Sequence, residues 1–147
     1  YRINGIATLL ATLECSSDEV RFNVLLVLSS LTSHPIIQTA IRKEDGVNIL
    51  IAMLNSPCVN IQTKTLELLS SLSAHNAKNR TAIVENKGIP KLMNILASSE
   101  TAPQENALKT LINCTMFKQK PSASTMFFYP KDTKQDIEKI NHATTGL

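Results

Sequence analysis

Three of the four glycines in this 147-residue chain lie 41 and 42 residues apart, and each begins the same kind of sequence. Gly5, Gly46 and Gly88 stand in the strings NGIATLLATL, DGVNILIAML and KGIPKLMNIL, in which aliphatic residues recur at helical spacing. The same intervals separate apolar residues further along each unit: Leu28, Leu69 and Leu111. A self-similar period of about 40 residues indicates a helical solenoid, which exposes a long curved surface and no single enclosed pocket. Such surfaces usually bind proteins.

Composition and charge exclude several classes of protein. Apolar residues make up 43% of the chain and charged residues 18%, and no uninterrupted apolar run approaches the ~20 residues that a membrane span requires. The net charge is only +3, and no five-residue window is dominated by Lys and Arg. We therefore expect neither membrane insertion nor a nucleic-acid partner.

The cysteines indicate a reducing compartment. Cys15, Cys58 and Cys114 are an odd number without CxxC spacing, which does not fit a disulfide framework. We expect a cytoplasmic protein, with the nucleus as the alternative.

The first residues, YRINGIATLL, carry no signal-peptide pattern and already lie in an apolar helix pattern. Because repeat arrays need polar caps at their ends, we expect this sequence to come from a longer array.

Four prolines predict where helices begin, because proline is tolerated in the first turn of a helix and excluded from its interior. Pro35 opens a short helix that ends near Lys43, and Pro57 precedes a long helix over residues 59–74. Pro90 and Pro103 start two further helices. Each unit therefore has a short helix, a corner with a glycine, a second helix and a longer third helix. The corner glycine serves either a positive φ or a close backbone approach that a Cβ would block.

The third helix of each unit carries apolar residues at 3.6-residue spacing, which predicts a buried stripe. The predicted core positions of the three third helices are Val20, Val24, Leu25, Leu28 and Leu31, then Ile61, Thr65, Leu66, Leu69 and Leu72, then Pro103, Ala107, Leu108, Leu111 and Cys114. Stripes shared between neighbouring units can together offset the ordering entropy that one unit alone could not.

The glycine-corner helix, the turn, and a third helix such as PQENALKTLINC resemble the armadillo repeat over about residues 1–117. This resemblance implies an all-α fold, a right-handed α-solenoid of three-helix repeats. We expect a truncated first repeat with the next unit's short first helix at residues 1–43, and a second repeat with the following short helix at residues 44–86. A third repeat follows at residues 87–118, and a non-repeat tail occupies residues 119–147.

The resemblance also implies a binding groove lined by the third helices, in which armadillo proteins often clamp extended peptides with a ladder of Asn side chains. At the ladder position this sequence has Ser30, Ser71 and Asn113, and at the position of the usual stacking Trp it has Leu26, Glu67 and Lys109. A Ser hydroxyl lacks the bidentate reach of an Asn amide, so we expect no reading of basic peptides of the nuclear-import type.

One turn before the ladder position lie Asn23, Lys64 and Asn106. We call the resulting set the third-helix line, and we expect it to bind the partner: Asn23, Leu26, Ser30, Lys64, Glu67, Ser71, Asn106, Lys109 and Asn113. The alternative, at about even odds for any one position, is that these residues are ordinary solvated positions of amphipathic helices.

The tail is rich in aromatic residues, with Phe127, Phe128 and Tyr129 in the string MFFYP, which predicts a docking segment.

His34 and His75 are equivalent in the repeat. Stacked helices lie roughly 8–10 Å apart, which is too far for the two imidazoles to share one metal ion readily. We expect these two residues to cap helix ends.

No nucleotide-binding loop, GxSxG, HExxH or paired zinc-ligand spacing occurs in the sequence, and we expect no catalytic residues, metal or cofactor. The expected function is a non-enzymatic scaffold or adaptor module that binds a peptide or helix of another protein. The alternative is a structural spacer or an autoregulatory segment, in which the aromatic tail caps the array or occupies the groove.

Overall fold

The computed structural model describes residues 4–98 and 101–116. In those two ranges the chain forms eight α-helices and no strand: α1 Asn4–Cys15, α2 Asp18–Leu31, α3 Pro35–Lys43, α4 Gly46–Met53, α5 Val59–Ala74, α6 Ala77–Glu85, α7 Gly88–Ser98 and α8 Thr101–Met116. Of the helices in this part of the chain, none is long and apolar enough to cross a membrane.

The helices form an α-solenoid of three-helix units. Helices α3, α4 and α5 make one unit, α6, α7 and α8 make the next, and α1 and α2 are the second and third helices of the first unit. The third helices α2, α5 and α8 form one layer, in which α5 packs against α2 on one side and α8 on the other. The candidate binding residues all lie on this layer.

The prolines predicted the helix boundaries well. The predicted helices from Pro35 to Lys43 and over residues 59–74 are confirmed as α3 and α5. Pro90 and Pro103 each stand third in their helices, in the first turn, where a missing N–H costs no hydrogen bond. Local capping also sets the boundaries, because Ser17 and Asn76 accept hydrogen bonds from backbone N–H groups in the first turns of α2 and α6.

At Gly46 and Gly88, the glycine is required for a close approach and not for a positive φ. The left-handed conformation falls on the preceding residue, with φ of 60° at Asp45 and 61° at Lys87. A Cβ on Gly46 would lie 2.5 Å from both the Cγ2 and the carbonyl oxygen of Ile41, and the corresponding distances from Gly88 to Ile83 are 2.7 and 2.8 Å. The first helix of a unit therefore packs directly on the start of the second.

One core of aliphatic side chains runs through all the units. Most of the predicted third-helix stripe is buried, including Leu28, Leu69 and Leu111, which are 0–3% exposed. The prediction is wrong for Val20, which is 42% exposed. Leu31 and Leu108 are only half-buried. These three residues lie on α2 and α8, each of which has only one neighbouring third helix in the described part of the chain.

A recurring hydrogen bond ties each second helix to the third. Arg21 Nε donates to Leu13 O at 2.9 Å, Gln62 Nε2 donates to Leu54 O at 3.1 Å, and Gln104 Nε2 donates to Leu96 O at 3.0 Å. The three pairs are equivalent in the repeat register. Each side chain satisfies a backbone carbonyl at the end of the second helix, where no intrahelical donor remains.

The short first helices carry a second set of polar contacts. Gln38 Nε2 donates to Thr32 O at 2.7 Å, and Arg80 Nη1 donates to Ser73 O at 2.9 Å, so each side chain holds the end of the preceding third helix. Arg42 Nη1 reaches from α3 to Asn79 Oδ1 on α6 at 3.1 Å. These contacts tie each short first helix to the preceding third helix, and α3 to α6.

Candidate functional site

All nine residues of the third-helix line remain accessible. Five are exposed: Asn23, Leu26, Ser30, Ser71 and Lys109. Four are half-buried: Lys64, Glu67, Asn106 and Asn113. Because the three helices that carry them are neighbours in one layer, the nine side chains lie on adjacent elements of one surface.

The charges on this surface are largely paired. Lys64 Nζ lies 2.8 Å from Glu67 Oε2, and Lys109 Nζ lies 3.4 Å from Glu105 Oε1, in each case within one helix. The Lys109 pair is mostly solvent-exposed and contributes little to stability. Since both lysines have an acidic partner, the line presents a mixed polar surface with little net charge.

The ladder position is used for packing within the protein. Asn113 Nδ2 donates to Ser70 O at 3.2 Å and to Ser73 Oγ at 3.1 Å, so its amide hydrogens hold α8 to α5. Ser30 Oγ donates to Val27 O at 2.8 Å within its own helix. A bidentate clamp needs the donor and the acceptor of one amide, and here the Asn113 donor already has protein partners.

A surface cavity of about 310 Å³ adjoins the line between the first turns of α2 and α5. Its lining residues are Asp18, Glu19, Phe22, Asn23, Cys58 and Asn60. Of these six residues, only Asn23 was predicted from the sequence as a binding residue. The others belong to the starts of two helices about 40 residues apart, and their proximity follows from the α2–α5 packing. The Asp18 carboxylate lies 3.3 Å from Arg21 Nη1 and is therefore paired with a positive charge.

The two repeat-equivalent histidines occupy helix ends, as predicted, but the predicted capping bond is absent at His34. That residue is the N-cap of α3, and its side chain makes no capping hydrogen bond. His75 is the C-cap residue of α5, and the next residue, Asn76, caps α6 through its side chain. The described residues contain no group of three or more His, Cys, Asp or Glu that could hold a metal ion.

Cys58 and Cys114 are both free thiols, Cys58 half-buried and Cys114 buried. Burial raises the pKa of the Cys114 thiol from its ordinary value of 9.0 to about 12, although the nearby positive charge of Arg80 acts in the opposite direction. The predicted role of Cys114 as a core residue is confirmed.

The aromatic residues Phe127, Phe128 and Tyr129 lie outside the described residues. At the end of α8, where the described part of the chain stops, Ile112 is 40% exposed and Met116 is 65% exposed. These two side chains form an apolar patch next to the start of the tail.

A stack of three-helix units with a corner glycine and an exposed third-helix layer defines an α-solenoid repeat protein. A family model described as armadillo-like matches residues 3–121, and the chain belongs to this family. The predicted armadillo fold is therefore confirmed. Armadillo repeats generally mediate protein–protein interactions, and their fold is generally non-catalytic.

The chain is similar to short stretches of much longer proteins. It is 30% identical over 113 residues to the protein CELLULOSE SYNTHASE INTERACTIVE 2 of Arabidopsis thaliana, covering 76% of this chain and 5% of that one. It is 41% identical over 83 residues to a probable inactive serine/threonine-protein kinase of Dictyostelium discoideum, covering 54% and 7%. It is 31% identical over 72 residues to U-box domain-containing protein 11 of Arabidopsis thaliana, covering 49% and 12%. The chain thus spans 5–12% of these curated relatives.

Two solved structures of engineered proteins have a similar fold. One superposes with a TM-score of 0.72 at 24% identity, covering 77% of this chain and 46% of the other. The second has a TM-score of 0.71 at 25% identity, covering 75% and 27%. The first likeness supports the fold alone.

Proposed function

We propose that this chain is a non-enzymatic protein-interaction module of the scaffold or adaptor kind, which binds a peptide or helix of a partner protein along the third-helix line. The carrying observation is that the nine residues of the line stay accessible on three adjacent helices that also contribute buried aliphatic side chains to the core. We propose that it acts in the cytoplasm, with the nucleus as the alternative. The name of the relative CELLULOSE SYNTHASE INTERACTIVE 2 is that of an interacting protein and supports the same class of role.

The surface favours a partner of mixed polarity. Leu26 offers 40% of its surface to an apolar side chain, whereas Lys64, Glu67 and Lys109 offer charges that are already paired within the protein. A strongly basic peptide of the nuclear-import type is disfavoured, because two of the three ladder positions hold Ser and no stacking position holds Trp. At the third ladder position, the Asn113 amide donor is already engaged within the protein.

Affinity capture with charge-reversed variants tests the proposal. The intact chain and the Lys64→Glu, Lys109→Glu double variant are used as baits, and the captured proteins are identified by mass spectrometry. A matched control carries Lys78→Glu and Lys91→Glu, which change the net charge equally but lie on α6 and α7, outside the third-helix layer.

The line variant is expected to lose partners that the intact chain and the control retain. Each reversal places two acidic residues three or four positions apart, which costs roughly 0.2–0.5 kcal/mol. The melting temperatures of all three proteins should therefore be close. Identical sets of captured proteins would refute binding along the line.

A second candidate is the structural or autoregulatory role, favoured by the exposed Ile112 and Met116 beside the tail. In this role, residues 121–147, which include the MFFYP string, cover the end of the array or occupy the groove. Deleting these residues distinguishes the outcomes. A large loss of helical stability supports a cap, a gain in partner capture supports autoinhibition, and no change in either refutes this candidate.

A further inference from the structure

The surface cavity between the first turns of α2 and α5 combines negative charge with an aromatic ring. Its volume of about 310 Å³ is at the lower end of the ~300–1,000 Å³ that small-ligand pockets occupy, so it takes a single side chain and no larger element. Asp18, Glu19 and the half-buried Phe22 line it from α2, and Asn60 lines it from α5. None of the six lining residues is basic. A carboxylate and an aromatic ring both attract a cation, and the carboxylates disfavour an anion.

The two carboxylates of the cavity differ in their charge partners. Asp18 lies 3.3 Å from Arg21 Nη1 and is already paired. Glu19 is exposed, and the part of the chain that the structure describes contains no ion-pair partner for it. Glu19 is therefore the group that can receive a cation from a ligand, and the amide oxygens of Asn23 and Asn60 are further acceptors in the same lining.

The corresponding place between α5 and α8 has different chemistry. On α5, the residues equivalent to Asp18, Glu19, Phe22 and Asn23 are Val59, Asn60, Thr63 and Lys64. They include no carboxylate and no aromatic ring, and the ammonium group of Lys64 repels a cation. The attraction for a cation is therefore found at one of the two described junctions between third helices, and a basic residue of a bound chain has a single, defined position there.

We propose that this cavity, here called the α2–α5 pocket, binds one arginine side chain of the partner protein and thereby sets the register of that partner on the third-helix line. This inference rests on the proposed function, since it assigns one anchor residue to the partner. A guanidinium group suits the lining because its planar donors bond a carboxylate such as Glu19, and because it stacks on an aromatic ring such as Phe22. A lysine ammonium lacks this planar fork.

A single arginine differs from the strongly basic peptides of the nuclear-import type. The α2 residues of the pocket precede the stacking position Leu26 and the ladder position Ser30. Further along the line, the lysines pair with Glu67 and Glu105, so their charges are balanced within the protein. The pocket therefore fits a partner of mixed polarity that carries one basic anchor.

A blocked arginine tests the pocket without requiring the partner. The isotope-labelled intact chain is titrated with N-acetyl-arginine methylamide and, in parallel, with the citrulline analogue, which has nearly the same shape and no charge. Backbone amide shifts are followed by NMR spectroscopy. The same titrations use Glu19→Gln and Phe22→Leu. Glu105→Gln is the matched control, because Glu105 is an exposed carboxylate on the same layer that pairs with Lys109.

The arginine probe should cause saturable shifts at Phe22, Asn23 and Asn60, and the citrulline probe should bind more weakly. Glu19→Gln and Phe22→Leu should each weaken arginine binding roughly two- to fivefold, the factor that one exposed contact with a cation contributes. Glu105→Gln should leave arginine binding unchanged. Far-UV circular dichroism identifies a variant that does not fold, and Glu19→Gln, at an exposed position, decides the outcome if Phe22→Leu fails. Absence of saturable shifts, equal binding of citrulline, or an equal loss in Glu105→Gln would overturn the proposal.

Selected peptides connect the pocket to partner binding. Random peptides displayed on phage are selected against the intact chain and remeasured against Glu19→Gln and against the Lys64→Glu, Lys109→Glu double variant. The proposal predicts that the selected peptides share one arginine, whose replacement by citrulline weakens binding to the intact chain but not to Glu19→Gln. Peptides that bind along the line without this arginine would overturn the pocket and leave the proposed function standing. Peptides that keep the Glu19-dependent arginine but bind the double variant normally would instead refute binding along the line and support arginine binding by the pocket.

Discussion

Substituting alanine at two equivalent corner glycines should have opposite effects on stability. A Cβ on Gly46 would lie 2.5 Å from the carbonyl oxygen of Ile41, about 1 Å inside van der Waals contact. Because this atom belongs to the backbone, α3 must shift away from α4 to relieve the overlap. A Cβ on Gly5 meets nothing within 4 Å. The pair therefore compares the same substitution with and without a close neighbour.

The magnitude follows from two contributions. Replacing glycine with alanine at a compatible position stabilises a protein by about 0.4–1 kcal/mol through the entropy of the unfolded chain. This contribution is similar at Gly5 and Gly46 and cancels in their comparison. What remains is the cost of overpacking at Gly46, about 1–3 kcal/mol. For a chain of this size, that difference separates the two melting temperatures by roughly 2–12 °C.

Urea unfolding of Gly5→Ala and Gly46→Ala, beside the unsubstituted chain, measures this difference directly. We expect a midpoint at or above the original for Gly5→Ala and below it for Gly46→Ala. Gly88→Ala should also destabilise, because its Cβ would lie 2.8 Å from the carbonyl oxygen of Ile83. Equal midpoints for Gly5→Ala and Gly46→Ala would refute the close-approach explanation of the corners.

Three further predictions concern polar and thiol groups. Gln62→Met removes the bond to Leu54 O and should lower the free energy of unfolding by about 1 kcal/mol in urea titrations, with an unchanged circular dichroism spectrum. Asn113→Ala should cost about 1–3 kcal/mol, and if its amide serves only packing, partner capture by the folded variant will be unchanged. Because the Cys114 pKa is about 12 in the folded state against 9.0 ordinarily, the unfolded state binds fewer protons between these values. Stability should therefore be retained below about pH 9 and fall above it by up to about 1.4 kcal/mol per pH unit, a slope that Cys114→Ala reduces in titrations at several pH values.

The helices could be predicted from the sequence because their signals are local. Pro35 marks the first residue of α3, and the apolar spacing of residues 59–74 matches α5. The corner was harder to predict, because both a positive φ and a close approach favour glycine. The structure divides these two roles between neighbours, with the positive φ at Asp45 and the close approach at Gly46.

The internal contacts of the candidate site could not be predicted in the same way. The partners of Asn113 lie 40 and 43 residues earlier in the chain, so its engagement depends on the packing of α8 on α5. The bonds of Arg21, Gln62 and Gln104 did leave a signal, since three long polar donors stand at equivalent positions. That signal is weak, because arginine and glutamine differ in charge and share only the ability to donate at long reach.

Adjacent residues on α2 show that similar exposure can have different causes. Leu26 is 40% exposed and Val27 is 45% exposed. Glu67 and Lys109, which are equivalent to Leu26, stay accessible. Leu68 and Thr110, which are equivalent to Val27, are buried. Leu26 therefore lies on a face that is accessible in every unit, whereas Val27 lies on a face that is buried in the two later units. We expect Leu26→Lys to weaken partner capture and Val27→Lys to leave it unchanged. If both substitutions weakened partner capture equally, the two faces could not be distinct, and the positional comparison would be refuted.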